Sequence, residues 1–397
     1  MKILFIGSRL FDDLGFYLEE ESIESILTES NPDALNLDLS DKYFIVPRGM
    51  DEPLKIAKSE KVDGIISLIG LDDPLMDVAI AKEKAESELK IPFIASNTYS
   101  IGISSDKIKT KEFFVENEIT TPKYGIIDSV SPSLSIASNS SSDSIVDVSS
   151  LNPISFEFPL VLKQRSGQGG RDIIVATNID EFRNYIYEFG ETLCEEFIEG
   201  SELSIEVLGF NDEYLPLVPV YKGETTIEGI HPLNKVKSAP AEIDGLDNNE
   251  LRNIASKIAK SLKAEGIIDI DFIFSKVDKQ LYALEINTRP SGTRYLTAAS
   301  SNIHPLTKLI DMVSGKFDIN TIEKEVKDYF ALEIPIGNFR GFKKDEPLKK
   351  FTKNSWVVHG PPDYERITIS GESKNKTKKL AKKLIGDKYE YFNLNKI

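Results

Sequence analysis

The chain begins with a short apolar run, KILFIG at 2–7, which closes on Gly7 and leads into a helix-like stretch at 12–21. ESILTES, DKYFIVP and DGIISLIG repeat the motif, with polar or helical segments between them. This alternation of strand and helix predicts a parallel, doubly wound sheet. Residues 104–118 open on Ser and Asp caps and continue as an amphipathic helix, which Thr121-Pro122 ends before a strand at 123–127. From 158 onward strands dominate: FPLVLK, DIIVAT, TLCEEFIEG, ELSIEVLGF and YLPLVPVYK, with a short helix at 179–190. A clear helix follows at 248–265, with apolar residues at Leu251, Ile254, Ile258, Ala259 and Leu262. Two short apolar strands then flank a polar turn in IDIDFIFSKVDKQLYALEINTRPSGTR. One more helix is predicted at 303–315. The tail beyond about 330 carries ALEIPIG, SWVVHG and RITISG as strands, and a Lys-rich helix at 373–385. The Ser-rich stretch 128–152 has little helical periodicity and reads as a surface insertion or mobile connector.

Composition narrows the function classes. A chain of 397 residues suggests two or three domains, and 40% hydrophobic residues support proper cores. The net charge of −16, from 48 basic and 64 acidic residues, argues against a nucleic-acid surface. A single cysteine, Cys194, excludes an internal disulfide, fits a reducing compartment and reads as a small core residue. Three histidines and one cysteine argue against a Zn site. The first apolar run is too short for a membrane span and lacks a cleavage site, so a soluble cytoplasmic protein is expected, with no membrane partner. No GxGxxG follows the first strand, which leaves a dinucleotide site poorly supported. Asp72, Asp73 and Asp77 follow the SLIG strand, where ligands often bind in open sheets. An acid-rich helix N-terminus explains them equally well.

The chemistry gathers in the hairpin near 268–294. Side chains two apart on a strand share a face, so Glu285, Asn287 and Arg289 line one surface. The partner strand adds Asp269 or Asp271, and the register between the strands stays open at this level. Hard oxygen donors beside a fixed cation suit Mg²⁺ bound through nucleotide phosphates. Upstream, the loop SGQGGRD, with Ser166, Gly167, Gly169 and Gly170, can bring backbone N–H groups to phosphates beside Lys163, Arg165 and Arg171. Lys107 is a second candidate phosphate cation. Glu195, Glu196, Phe197 and Ile198 offer backbone groups and an apolar wall for a purine, and Glu202 could hold ribose hydroxyls. Each piece also has a plain explanation. The glycine loop could be only a turn, and Lys107, with Lys109 and Lys111 nearby, a solvated helix lysine. Glu195 and Glu196 could be strand-end charges, His231 a loop histidine, and His304 before Pro305 a helix start. The Lys-rich 373–385 helix reads as a solvated face.

Taken in order, Lys107, Lys163, SGQGGRD, EEFIEGSE, DFIF and EINTRP resemble the ATP-grasp superfamily. Within it they are most similar to one synthetase half of the carbamoyl phosphate synthase large subunit. The run GIHPLNKVKSAPAE at 229–242 resembles that family's GIH…APA segment. The resemblance implies an α/β chain, α+β in its ATP-grasp part. A parallel-sheet, Rossmann-like pre-ATP-grasp domain would span 1–103. A two-subdomain ATP-grasp domain would span 104–318, with a lid at about 124–198 and a central part at about 199–318. A C-terminal α+β extension would cover 319–397. It implies phosphate contacts for Lys107 and Lys163, a glycine lid, an adenine hinge at Glu195 to Ile198, and a ribose carboxylate at Glu202. It also puts His231 near the nucleotide, metal ligands at Asp271, Glu285 and Asn287, and a catalytic Arg289. Arg294 is a candidate for the substrate carboxylate. ATP and Mg²⁺ are the implied cofactors, with Mn²⁺ as an alternative. Small carboxylate and amine substrates are the implied partners, and a homodimer is compatible. The expected activity is ATP-dependent ligation of a carboxylate to an amine through an acyl phosphate. The alternatives are a kinase-type or carbamoyl-phosphate-synthase-like activity on a carboxylate or carbamate, and an inactive ATP-binding regulator. Two departures stand out: the chain has room for one synthetase half only, and Thr288 replaces the proline of the family's NPR, with Pro290 after the arginine.

Overall fold

The computed structural model describes residues 1–127, 145–148, 154–167, 170, 172–227, 234–337, 351–360, 364–386 and 392. Gly169, Arg171, His231 and most of the Ser-rich stretch lie outside the described residues.

The N-terminal segment forms the predicted parallel sheet. Its strands are β1 (Lys2–Ile6), β2 (Glu24–Glu29), β3 (Lys42–Ile45), β4 (Gly64–Ser67) and β5 (Phe93–Ile94), in the order β3-β2-β1-β4-β5. Every pairing is parallel. Helices α1 (Gly15–Glu20), α2 (Asp51–Glu60) and α3 (Leu75–Lys84) are the crossovers that such a sheet requires. Ile3, Leu4, Phe5, Ile65 and Ile66 are fully buried, as strands covered on both faces must be. Helix α4 (Thr98–Ser104) is capped by Asn97 and α5 (Lys107–Glu116) by Asp106, whose carboxylate accepts from the N–H groups of Ile108 and Lys109.

A four-stranded antiparallel sheet follows. It comprises β6 (Tyr124–Ile127), β9 (Leu160–Lys163), β10 (Ile174–Ala176) and β11 (Thr192–Glu196), in the order β10-β9-β11-β6. A hairpin of β7 (Ile145–Val148) and β8 (Ile154–Glu157) precedes β9, and α6 (Ile179–Phe189) precedes β11. Strands β9 and β10 flank the glycine loop, which returns the chain antiparallel.

Among the described residues the largest sheet has nine strands: β12 (Gly200–Phe210), β13 (Glu213–Pro216), β14 (Val220–Glu224), β15 (Lys237–Ala239), β16 (Gly266–Ser275), β17 (Leu281–Asn287), β18 (Phe330–Pro335), β19 (Trp356–His359) and β20 (Arg366–Gly371). YLPLVPVYK is therefore two strands, β13 and β14, and not one; Pro216 and Pro219 lack the N–H that a continuous ladder would need. The short KSA strand β15 gave no sequence signal. The order β17-β16-β12-β14-β15-β18-β20-β19 carries the tail strands into the same sheet as the acidic hairpin.

The two faces of this sheet differ in kind. Leu203, Ile205 and Val207 of β12 and Ile268, Ile270 and Phe272 of β16 form one core with α7 (Asn248–Leu262), contacting its Leu251, Ala255, Ile258 and Leu262. The alternating residues, Ser204 and Glu206, stand opposite Asp271 and Asp269 on the other face. That polar face continues through Lys237 of β15 to Glu333 of β18, which also receives Arg366 of β20 at 3.4 Å. Helix α8 (Arg294–Ser301) packs against β15, β18 and β20. Helix α9 (Pro305–Ser314) brings Leu306, Leu309 and Ile310 into one core with Ile3 and Phe5 of β1 and Ile267 of β16. Helices α10 (Ile319–Glu325) and α11 (Lys374–Ile385) complete the chain, α11 burying Thr377, Ala381 and Ile385 and exposing its lysines. Among the described residues, no helix is long and apolar enough to cross a membrane.

Candidate active site

A cleft of about 620 Å³ lies between the small antiparallel sheet and the polar face of the large one. Its floor is the β16–β17 hairpin. The register that the sequence left open is Asp271 opposite Glu285 and Asp269 opposite Asn287, with a bulge after Asp271. Asp271 and Glu285 both line the cleft. Asp269 lies deeper, 6% exposed, opposite Glu206 of β12, and its Oδ1 has no hydrogen-bond partner among the described residues. Lys222 of β14 donates from Nζ to Asp271 Oδ1 at 2.7 Å. Burial raises the Asp271 pKa, and the Asp269 and Glu285 charges push it the same way against Lys222. Glu285 moves oppositely: burial would raise it, but the charges of Lys107, Lys163 and Lys222 hold it well below the usual carboxylate range. The floor is thus a carboxylate cluster with too little positive charge of its own.

The roof rests on an ion network under β9 and β11. Lys163 Nζ donates to Glu195 Oε2 at 2.8 Å, and Lys111 Nζ lies 3.3 Å from Glu195 Oε1. Lys111 also donates to Thr121 Oγ1 at 2.7 Å, and that hydroxyl donates to the Ala283 carbonyl of β17 at 2.7 Å. The network therefore ties the roof to the floor strand. Glu195 is 2% exposed, so its carboxylate is committed to the two lysines. Glu196 pairs with Lys123 through both backbone and side chain, while Phe197 and Ile198 line the cleft. Glu202 is held by Lys235 at 2.7 Å.

Lys107 and the glycine loop are joined directly. Lys107 N–H donates to the Arg165 carbonyl at 2.9 Å and Lys107 Nζ to the Gly167 carbonyl at 2.6 Å. Arg165 is tied to Asp106, the cap of α5, at 2.8 Å. Gly167 and Gly170 take φ of 119° and 74°, backbone that side chains other than glycine rarely adopt. Ser166 is exposed at the loop tip.

Arg289 and Asn287 stand beside the cleft and do not line it. Arg289 Nε donates to Asp72 Oδ1 at 2.5 Å, and Nη2 to Asn287 Oδ1 at 3.0 Å. Arg294 is farther away, its Nε on Asp13 Oδ2 at 2.8 Å, and Asp13 also accepts from the Tyr295 hydroxyl.

Four residues of this arrangement were not singled out as site candidates from the sequence. Lys111, which the sequence offers only as a neighbour of Lys107, is 1% exposed. Its signal was positional, since it shares the buried stripe of α5 with Ile108 and Phe114. Lys222 had the signal of a lysine inside an otherwise strand-like run. Lys235 and Glu206 had no local signal. On the expected phosphate role, replacing Lys163 by Ala should raise the KM for ATP about tenfold or more, while Glu195 keeps Lys111. Steady-state titration of ATP checks this, and an unchanged KM refutes a phosphate role.

A family model described as the ATP-grasp domain matches residues 104–293. The chain is 52% identical to a carbamoyl-phosphate synthase of Methanobrevibacter smithii, over 97% of this chain and 100% of that protein. It is 24% identical to the carbamoyl phosphate synthase large chain of Caldanaerobacter subterraneus, over 75% of this chain but only 26% of that one, about a quarter of its length. Among solved structures, N5-carboxyaminoimidazole ribonucleotide synthetase from Thermotoga maritima superposes with a TM-score of 0.68 at 18% identity, over 96% of this chain and 97% of that chain. The last likeness shows a shared fold. The full-length match shows more: the chain belongs to the ATP-grasp family of ATP-dependent carbon–nitrogen ligases, on its carbamoyl-phosphate-synthase-like branch.

Proposed function

We propose that the protein joins a small carboxylate to an amine through an acyl phosphate, forming ADP and phosphate, with the β16–β17 hairpin as its catalytic floor. The observation that carries this reading is the pairing of Asp271 with Glu285 in one cleft with Lys107 and Lys163. The donor set suits Mg²⁺. Among the described residues no three acidic, histidine or cysteine side chains close into a metal cage. Asp271 and Glu285 form an open pair of donors in the cleft, of the kind that phosphate oxygens complete, while the third candidate, Asn287, has its Oδ1 on Arg289. The clustering of Asp269, Asp271 and Glu285 around the single Lys222 ammonium, and an Asp269 Oδ1 without a partner among the described residues, suit a bound cation. Mg²⁺ held there would neutralise phosphate charge.

The residues divide the remaining work. Lys107 and Lys163 bind phosphate oxygens beside Gly167 and Gly170 of the glycine loop. Phe197 and Ile198 seat the base beside backbone groups of Glu195 and Glu196. Lys235 holds the Glu202 carboxylate toward the ribose. Arg289, oriented by Asp72 and Asn287, stabilises the charge on the phosphoryl group in transfer. The substrate carboxylate oxygen attacks the terminal phosphorus and the bond to ADP breaks. The amine nitrogen then attacks the acyl carbon, the bond to phosphate breaks, and the nitrogen loses one proton. A carboxylate role for Arg294 would require sharing it with Asp13.

The Methanobrevibacter relative favours a second reading, in which bicarbonate is the carboxylate and ammonia the amine. Both readings begin with the same phosphorylation. An ADP-release screen of carboxylates against amines, with mass spectrometry of products, decides between them. One ADP per amide supports ligation; two ADP per carbamoyl phosphate, from bicarbonate and ammonia alone, supports the second reading. No ADP release with any pair refutes both.

A further inference from the structure

Strand β14 is irregular where it meets β12. Glu202 stands opposite Gly223 and Leu203 opposite Tyr221, so Lys222 is the extra residue of a bulge, and Gly223 takes a φ of 102° beside it. A bulge of this kind leaves its residue out of the ladder and re-aims the side chain. Tyr221 packs on the core with α7, so Lys222 is not needed to fill that core. The bulge instead delivers the Lys222 ammonium into the cleft and onto Asp271 Oδ1 at 2.7 Å. A fixed cation thus reaches the acidic hairpin from a third strand.

A floor of carboxylates can hold two divalent ions when its oxygens are open to the phosphates. Here part of that capacity is taken. Lys222 occupies Asp271 Oδ1, and Arg289 occupies Asn287 Oδ1 at 3.0 Å. What is left is the second oxygen of Asp271 and the Glu285 carboxylate, on residues that line the cleft. That is enough for one ion whose other ligands are phosphate oxygens and waters. Charge gives the same count. With Asp269, Asp271 and Glu285 ionised, as a bound cation favours, the Lys222 ammonium leaves two negative charges, which one divalent cation cancels. We propose that Lys222 is a built-in counter-ion that takes the place of a second metal, so that the floor binds a single divalent cation per chain together with the nucleotide. The proposal rests on the reading of this cleft as a nucleotide site with a metal-binding floor.

The full chain would be dialysed to equilibrium against Mn²⁺ and the non-hydrolysable ATP analogue AMP-PNP, and the excess of each on the protein side counted per chain. The parent should retain one Mn²⁺ and one nucleotide. Lys222→Met and Lys222→Ala both free Asp271 Oδ1 and remove a positive charge, and each should retain two Mn²⁺ with one nucleotide. Lys222→Arg keeps the charge and should retain one Mn²⁺. Two Mn²⁺ per parent chain overturns the proposal and leaves the proposed function standing. A Met or Ala variant that retains its nucleotide with one Mn²⁺ also overturns it, because the lysine is then only structural. Nucleotide without Mn²⁺, or neither, overturns it together with the reading of the floor on which it rests.

Discussion

Glu285→Ala should lower kcat for ADP formation about a thousandfold while the protein stays folded. In the reading above, Glu285 faces Asp271 across the hairpin and is the carboxylate that the nearby lysines keep ionised. Its loss removes one of two anionic donors for the cation and changes the charge next to the transferring phosphoryl group. Preorganised electrostatic contacts of this kind are worth factors of about a hundred to a thousand each. The fold should tolerate the change, because the substitution also relieves repulsion with Asp271 and Asp269. A coupled ADP assay and a thermal melt on the same preparation check both halves. Retained turnover sinks the metal assignment, and a collapsed melt shows that Glu285 is structural. Glu285→Gln, which keeps the shape, should be nearly as inactive.

The second large effect is on stability. Lys111→Met should destabilise the protein by about 3–5 kcal/mol, the usual cost of breaking one side of a buried ion pair. Methionine fills the same volume, so packing changes little. What changes is Glu195: its Oε1 loses the Lys111 ammonium 3.3 Å away, and it would keep Lys163 as its sole counter-charge among the described residues. The Lys111–Thr121–Ala283 chain would break as well. The double variant Lys111→Met with Glu195→Gln should recover most of the loss, because no uncompensated charge is then buried. Denaturant midpoints of the single and double variants measure it. A single variant as stable as the parent would mean that water reaches Glu195.

What the sequence disclosed was local. The apolar runs of KILFIG and DGIISLIG and the alternation in ELSIEVLGF are properties of a few neighbouring residues, and they predicted strands that exist. The acidic hairpin was legible because Glu285, Asn287 and Arg289 share a face by period alone. Its register was not, because the bulge after Asp271 follows from the packing of the whole sheet. Long-range pairings were hidden for the same reason. Arg289 meets Asp72 across 217 positions, and Arg294 meets Asp13 across 281. Neither aspartate carries a pattern that names its partner. Lys111 carries no signal of its own role, because a lysine at an apolar position is explained only by its counter-ion, 84 residues away at Glu195.

The continuity of the large sheet bears on how the chain is made. Strand β15 pairs with β18 through Lys237 and Glu333, partners separated by 96 residues. During synthesis, β12, β14 and β15 emerge early and leave β15 with an open edge. That edge closes only after the segments through α10 have followed, and β20 and β19 dock later still. At roughly 5–20 residues per second, several seconds pass in which the open edge of β15 is exposed. Translation speed over this stretch, more than the final stability of the sheet, would then set how much of the protein escapes aggregation in the cell.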